Sequence, residues 1–494
     1  MNYLKMNVTG RLLICITAFF TFSGIKAQDQ SYEIGYSSFL GGLSNINVRG
    51  LGLDEKGHLY IGGRCLTPGG DNWDQSYKNG ISSLDVFVLK TNPESGEEIY
   101  LRIIGGSSED HLKVMSVDAN GNVYLSGRSK SYDFPTTANA FHTQRMGTYD
   151  VIAAKLDPRG EVVYSSIFGA RAMDECRGVG CNNKGYAVYV GGTHGNEYPT
   201  TPGDFSAYHG PEELDPGLLV YKQAMYRSED CFVTMLSPDG SRMEFSHLFG
   251  GKGFEKGWAA AMDEEGNVYV TGYTTATNLK TTPNAFSKSI HGVRDAFIAK
   301  FSAKGKLLAS TYFGGSDDDG AYGIALDEKG RIWVTGKTTS WDFPQVGSNY
   351  HKQHEGQDMF IACLSGDLSK LEFSTCFGGV NLEEPISEGL CITGNQQVVV
   401  VGKTHSKDFP LINSTQAISQ TGEDSDVFCR VYNANTFACE WSTRFGGRKN
   451  DEPGAVVAGE NDFWIAGATK SEDFPVSSDA RAKQGKAFLV RCEN

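Results

Sequence analysis

One stretch of this chain gathers side chains that move protons and hold anions. Between Ala207 and Asp230 it reads "AYHGPEELDPGLLVYKQAMYRSED", which supplies Tyr208, His209, Tyr221, Tyr226 and Arg227. Elsewhere His142 follows "NAF" where two related segments carry Ser206 and Ser287, and Tyr273 ends an apolar strand pattern. The chain has no GxSxG and no HExxH, so serine-hydrolase and zinc-protease readings lack their motifs. His, Tyr and Arg without a nucleophile suit proton transfer beside an anion. β-Elimination on a uronic-acid polymer needs this set. A cation on the sugar carboxylate stabilises the enolate-like intermediate. A His or Tyr removes the adjacent proton, and another protonates the leaving oxygen. Arg suits the carboxylate because its fork is planar and always charged.

These residues must be positioned by a repeat. An aromatic or apolar residue followed by Gly recurs at Gly41, Gly105, Gly169, Gly250, Gly314, Gly378 and Gly446, at spacings of 64, 64, 81, 64, 64 and 68. The fifth copy displays the unit. "YGIALD" is a strand, "DEKG" a tight turn with Gly330 at a positive φ, and "RIWVTG" a second strand. "DFP" follows in a long connection, then "DMFIACL" and "LEFSTCF" as strands three and four. Four strands per copy, seven times, predict an all-β, seven-bladed β-propeller with four-stranded blades. The last copy stops after a third strand, "KAFLVRC", while "YEIGYSSFLGG" near the N-terminus reads as a fourth strand alone. The N-terminal strand should therefore complete the last blade and leave no free edge there.

The irregular stretch lies wholly between strands two and three of the third copy, as an insertion over about 199–229. In an up-and-down blade that connection shares a face with the strand-four-to-one loops, opposite the tight turns. Long loops on a rigid scaffold are where function concentrates. On the same face, the residues after the Gly that closes strand two are Arg64, Arg128, Thr193, Tyr273, Lys337, Lys403 and Ala468. Equivalent positions form a ring, so they predict a partly basic collar, with His194 beside Thr193 and Tyr273 its only aromatic. The strand-four-to-one loops carry acids, including Glu109, Asp110, Asp174, Glu175, Asp317, Asp318 and Asp319. Paired carboxylates serve glycoside hydrolysis, but these recur in nearly every copy, which favours turn and hydrogen-bonding roles. Mutating Asp317 or Asp319 separates a hydrolase from the elimination reading. "DDDG" is not an EF-hand loop, and no metal ligand set or cofactor motif stands out; a structural divalent metal is compatible with the acidic loops.

Lys5 and Arg11 precede the apolar run "LLICITAFFTF", and "IKA" precedes Gln28, so residues 1–27 are expected to be a signal peptide cleaved near Ala27. Residues 28–494 then form a single domain that is secreted, periplasmic or at the cell surface, with no membrane span and an expected monomeric state. The net charge of −14 becomes more negative once Lys5, Arg11 and Lys26 leave, which argues against a nucleic-acid partner. Of eleven Cys, ten lie beyond the leader with irregular spacing; only Cys176, Cys181 and Cys231 group closely enough to suggest a disulfide or metal.

Units such as "FGGSDDDGAYGIALDEKGRIWVTGKTTSWDFP" resemble the bacterial SBBP β-propeller repeat, over nearly all of the mature length. That resemblance implies the fold and leaves the function open, because propellers host many activities. An exported seven-bladed propeller with these features also resembles the ulvan lyases of marine bacteria, which cleave a sulfated rhamnose–uronate polymer. The resemblance implies that a His and a Tyr transfer protons while an Arg and a further Tyr hold the acid group. By order along the chain, His142, Tyr208, Arg227 and Tyr273 match those catalytic roles, with Tyr221 or Tyr226 as alternatives to Tyr208 and His194 as the alternative to His142. Arg64, Arg128, His194, Tyr226, Lys337 and Lys403 are the expected substrate-binding residues, and a basic collar suits an anionic, sulfated polysaccharide. The competing expectation is a non-catalytic surface propeller that binds glycan or protein.

Overall fold

The computed structural model describes residues 32–40, 44–67, 83–205, 229–347, 356–414, 424–478 and 480–493. Twenty-eight strands form seven four-stranded antiparallel sheets, and the described residues contain no helix. β1 (Glu33–Phe39) precedes blade one, which is β2 (Ser44–Leu53), β3 (Leu59–Thr67), β4 (Ser83–Thr91) and β5 (Glu98–Ile104). Blade two is β6 (Asp110–Val117), β7 (Val123–Ser129), β8 (Asp150–Leu156) and β9 (Val162–Phe168). Blade three is β10 (Asp174–Cys181), β11 (Ala187–Thr193), β12 (Asp230–Leu236) and β13 (Met243–Phe249). Blade four is β14 (Glu255–Met262), β15 (Val268–Thr274), β16 (Asp295–Phe301) and β17 (Leu307–Phe313). Blade five is β18 (Asp319–Leu326), β19 (Ile332–Thr338), β20 (Asp358–Leu364) and β21 (Leu371–Phe377). Blade six is β22 (Glu383–Ile392), β23 (Gln397–Thr404), β24 (Asp426–Asn433) and β25 (Cys439–Phe445). Blade seven is β26 (Asp451–Ala458), β27 (Asp462–Thr469) and β28 (Ala487–Glu493), with β1 paired antiparallel to β28. The expected closure by the N-terminal strand is what the chain adopts.

Repeated residues explain the repeat. Gly330 takes φ 71° in the tight turn, where Asp327 accepts hydrogen bonds from the Lys329 and Arg331 amides. The "DFP" signpost has two tasks. Asp133 and Asp342 accept the amides of Ser107 and Ser316 after the Gly-Gly anchors, while Phe134 and Phe343 bury themselves between blades. The core is accordingly a set of interblade clusters, such as Phe313, Phe343 and Phe360 beside Ile298 and Ile324.

A β-bulge interrupts the innermost strand of every blade near its loop-bearing end. The register slips at Val48/Gly50, Leu112/Val114, Cys176/Gly178, Gly257/Ala259, Ala321/Gly323, Pro385/Leu390 and Pro453/Ala455. A bulge re-aims a side chain. It also presses the inner-strand backbone onto the next strand, which is why strand two carries a Gly there. A side chain at Gly127, Gly191, Gly272 or Gly336 would collide with the carbonyl of His111, Glu175, Lys256 or Gly320. In blade six the slip is wider, and Glu388 from it accepts the Met115 amide at 2.7 Å across the central channel. That channel encloses about 340 Å³ and is lined by residues of all seven inner strands, with Ser387 and Glu388 of β22 entering it.

The strand-two-to-three connections depart from the expected course. They fold back along the outermost strand of their blade. Thr137 pairs with Ser165, Thr201 with Ser246 and Thr282 with Ser310. The physical reason is the outer strand's open edge, whose amides and carbonyls find partners in the returning chain. Among the described residues all ten cysteines are free thiols, so the group of Cys176, Cys181 and Cys231 forms no disulfide. Cys176 donates instead to the Val190 carbonyl, and Cys181 lies 3.2 Å from the Ser116 hydroxyl.

Candidate functional site

The bulge residues of blades one to three are Arg49, Lys113 and Arg177, and those of blades four and five are Trp258 and Tyr322. They lie at the loop-bearing mouth, where Lys113 and Arg177 close on Glu175, which is 2% exposed. Arg177 grips its Oε2 from Nη2 at 2.6 Å and Nε at 2.8 Å. Lys113 Nζ and Arg128 Nη1 lie 3.1 and 3.2 Å from Oε1, and Lys256 Nζ lies 3.8 Å from Oε2. Burial alone would raise this carboxyl, but the four cations, Arg177 first, hold it well below the usual range.

Cations exceed carboxylates here. Arg49, Arg64, Lys113, Arg128, Arg177 and Lys256 face Glu109, Glu175, Glu229 and Glu452. The surplus is felt by its members. Burial, followed by the repulsion of Arg177 and Arg128, lowers Lys113 to about 8 despite the attraction of Glu175. Arg49 and Arg64 are lowered by burial and then by neighbouring guanidinium groups. His111 is lowered to about 4 by burial, then by Arg64, Lys113 and Arg128, so it is a neutral imidazole at neutral pH. Arg64 Nη1 stands 3.4 Å from both of its ring nitrogens, and His111 keeps 7% of its surface open. Arg128 lies over the Tyr149 ring at 4.4 Å, and the Tyr149 hydroxyl donates to Glu109 at 3.0 Å. His111, Arg128 and Tyr149 thus share one blade.

The predicted residues divide between two places. Arg64 and Arg128 join the mouth cluster. Tyr273 also lies at the mouth, but it is enclosed. Phe254 stacks on it at 5.8 Å, the Arg294 guanidinium sits 4.3 Å from its ring centre, and Trp258 and Tyr322 complete the cluster. Burial raises its hydroxyl pKa. Lys337 donates to Gln357 at 2.7 Å, and Lys403 pairs with Glu384 at 3.0 Å, with His405 3.4 Å from the same carboxylate. His194 follows β11, its amide bonded to the Met173 carbonyl. His142 is not with them. Its Nδ1 lies 2.8 Å from the Ile167 carbonyl on β9, the outermost strand of blade two, because the connection folds back there. The expected pairing of His142 with Tyr273 is therefore corrected: the first is on the outer rim, the second at the mouth two blades away. Tyr208, His209, Tyr221, Tyr226 and Arg227 lie outside the described residues.

One collar position is also corrected. Strand pairing sets Gly192, not Thr193, beside Glu175 as the partner of Arg128 and Tyr273 in the ring. The space above Gly192 is filled by Glu229, the described end of the insertion, whose Oε1 lies 3.0 Å from Lys256. The residues that sequence reasoning missed are His111, Lys113, Glu175, Arg177, Lys256 and Glu229. Their signal is in the chain: aligning the first strands "DHLK", "DECR", "EKGW" and "DGAY" puts Lys113, Arg177, Trp258 and Tyr322 in one register.

Residues 261–280 and 310–344, in blades four and five, match the family model "SBBP: Beta-propeller repeat". The chain is 25% identical over 322 residues to "Regulatory protein FlaEY" of Caulobacter vibrioides, covering 62% of this chain and 32% of that protein. It therefore spans about a third of that relative's length. Among solved structures it is similar to a protein of unknown function from Dyadobacter fermentans (9% identity, TM-score 0.42, 94% of this chain and 99% of the other). It is also similar to the Neurospora crassa Pan2 WD40 domain (7% identity, TM-score 0.45, 94% and 97%).

Proposed function

We propose that the mouth binds an acidic polysaccharide and cleaves it by β-elimination, in a protein exported by its N-terminal leader. The observation that carries this reading is the surplus of half-buried cations around a neutral His111 in a chain of net charge −14. A local basic site against an acidic whole suits an anion that must be held specifically. A uronate carboxylate held by Arg64, Lys113 and Arg128 would have its adjacent C5 proton acidified. His111 takes that proton, the electron pair forms the C4–C5 double bond, and the C4–O bond breaks. Tyr149 gives its proton to the departing oxygen. Remaining cations such as Arg177 and Lys256 suit sulfate groups, as in an ulvan-like polymer. Tyr273 buttresses Arg294 and takes no proton-transfer role.

The test is ultraviolet absorbance from the unsaturated uronate when the protein meets ulvan, with heparin-type polymers and alginate alongside. New absorbance with one of them is expected; silence across the panel rejects the elimination. A second reading, a non-catalytic binding propeller, draws on the relative called a regulatory protein. Retained polymer affinity without product would select it.

A further inference from the structure

Away from the mouth chemistry, buried acids face each other at six of the seven joints between blades. The first residue of an inner strand meets the acid at or near the start of strand three of the preceding blade: Asp110 with Asp85, Asp174 with Asp150, Glu255 with Asp230, Asp319 with Asp295, Glu383 with Asp358, and Asp451 with Asp426. All twelve are buried. Each pair closes over the first Gly of the repeated anchor. A side chain at Gly314 would meet Asp319 Oδ2 at 2.7 Å and Asp295 Oδ1 at 2.9 Å, so both carboxyl groups reach the same point. Gly105, Gly378 and Gly446 are enclosed in the same way by their pairs. This explains why the anchor is Gly: the joint has room for two carboxyl groups only if that residue has none of its own.

We propose that each of these six joints is closed by one proton shared between its two acids, which makes the seams of the ring pH-sensitive and firmest in mild acid. Two ionised carboxylates enclosed around one Gly repel, whereas a carboxyl group donating to a carboxylate makes a charge-assisted hydrogen bond. The other groups facing the pairs are hydrogen-bond donors. Asp110 accepts from the Gly106 amide and Ser131 hydroxyl, Asp319 from Gly315 and Ser340, and Asp451 from Gly447 and Ser471. Glu255 and Glu383 accept from the Thr274 and Thr404 hydroxyls. Ionisable neighbours lie at four of the joints: His291 is 3.7 Å from Asp295, Arg444 is 3.5 Å from Asp426, Arg145 and His142 act on Asp150 with Glu229 acting on Asp174, and Cys231 and Tyr312 lie beside the Asp230 and Glu255 pair. Burial first, with the facing acid adding to it, raises Asp110 and Glu383 to about 7 and Asp174 to about 8. The closing seam differs. There Lys486 stands at the strand-three place beside Thr469, and Ile46 at the inner-strand place.

The sign follows from these shifts. A carboxyl group whose pKa is higher folded than unfolded stabilises the ring fully below about pH 4, and that stabilisation is lost as pH rises through the folded value. His111 and His247, lowered by burial, act in the opposite direction only below about pH 6.5, and Lys113, lowered to about 8, opposes the six acid pairs as a single group toward pH 8. Thermal melting of the full chain between about pH 6.5 and pH 8, with chelator present, therefore reads the seams. The melting temperature is expected to fall across this window. Glu383→Gln and Asp110→Asn, at two joints far apart, should each flatten the slope, and the double variant should flatten it further. A melting temperature that is constant or rises overturns the proposal, as does an unchanged slope in folded variants. Calcium that raises the melting temperature at about pH 8, with the gain lost in Glu383→Gln, also overturns it in favour of a shared cation. If either variant fails to fold, proton uptake by the unaltered chain on refolding at about pH 7 decides: net uptake supports the shared protons, and none contradicts them.

Discussion

Glu175 is the residue on which the mouth depends. It balances Lys113, Arg128, Arg177 and Lys256 from a buried position. Removing one partner of a buried ionic network leaves uncompensated charge, so Glu175→Gln is expected to destabilise the fold by about 3–5 kcal/mol in denaturant unfolding. Its carboxyl is held well below the ordinary value, so its contribution is present above about pH 4 and is lost as pH falls through the folded value. The acid limb of the stability curve should therefore be shallower in Glu175→Gln. Both the carboxylate and its cations were visible as types in the sequence. Glu175 looked like one more acid in a repeated acidic loop, because no local pattern shows that Arg177, two residues on, turns back to grip it.

At the scale of the strand, the inner-strand bulge does the positioning. It turns Lys113 and Arg177 toward the mouth and presses the Gly320 carbonyl against Gly336 in the equivalent place. Gly336→Ala, which puts a methyl group into that contact, is expected to lower stability by about 1–3 kcal/mol in denaturant unfolding. Lys113→Ala and Arg177→Ala should each weaken binding of a sulfated polyuronate about tenfold by calorimetry, with the difference shrinking at high salt. Strands, tight turns and the "DFP" signposts were legible because they depend on alternation and turn chemistry within a few residues. The bulge was not, since it is a register shift against a neighbouring strand. That shift also explains the one-residue error at Gly192, where pairing with Glu175, and not distance from the anchor, fixes the collar.

For the whole molecule, ring closure was legible because the chain ends on a third strand and begins on a fourth. β1 supplies the outer edge of blade seven, with Ser37 and Ser38 bonded to residues more than four hundred positions away. Deleting residues 32–40 should expose β28 and lower the melting temperature by several degrees, which scanning calorimetry would read. What the repeat could not reveal was where its connections run. The topological rule put His142 on the loop-bearing face with Tyr273, but an open outer edge drew the connection down along β9. The account therefore moves proton transfer from His142 to His111, and turnover of one acidic polysaccharide by the two variants tests that choice most directly. Matched ultraviolet rates should fall to background in His111→Ala and stay near those of the unaltered protein in His142→Ala. Loss of turnover in His142→Ala with retention in His111→Ala would contradict it.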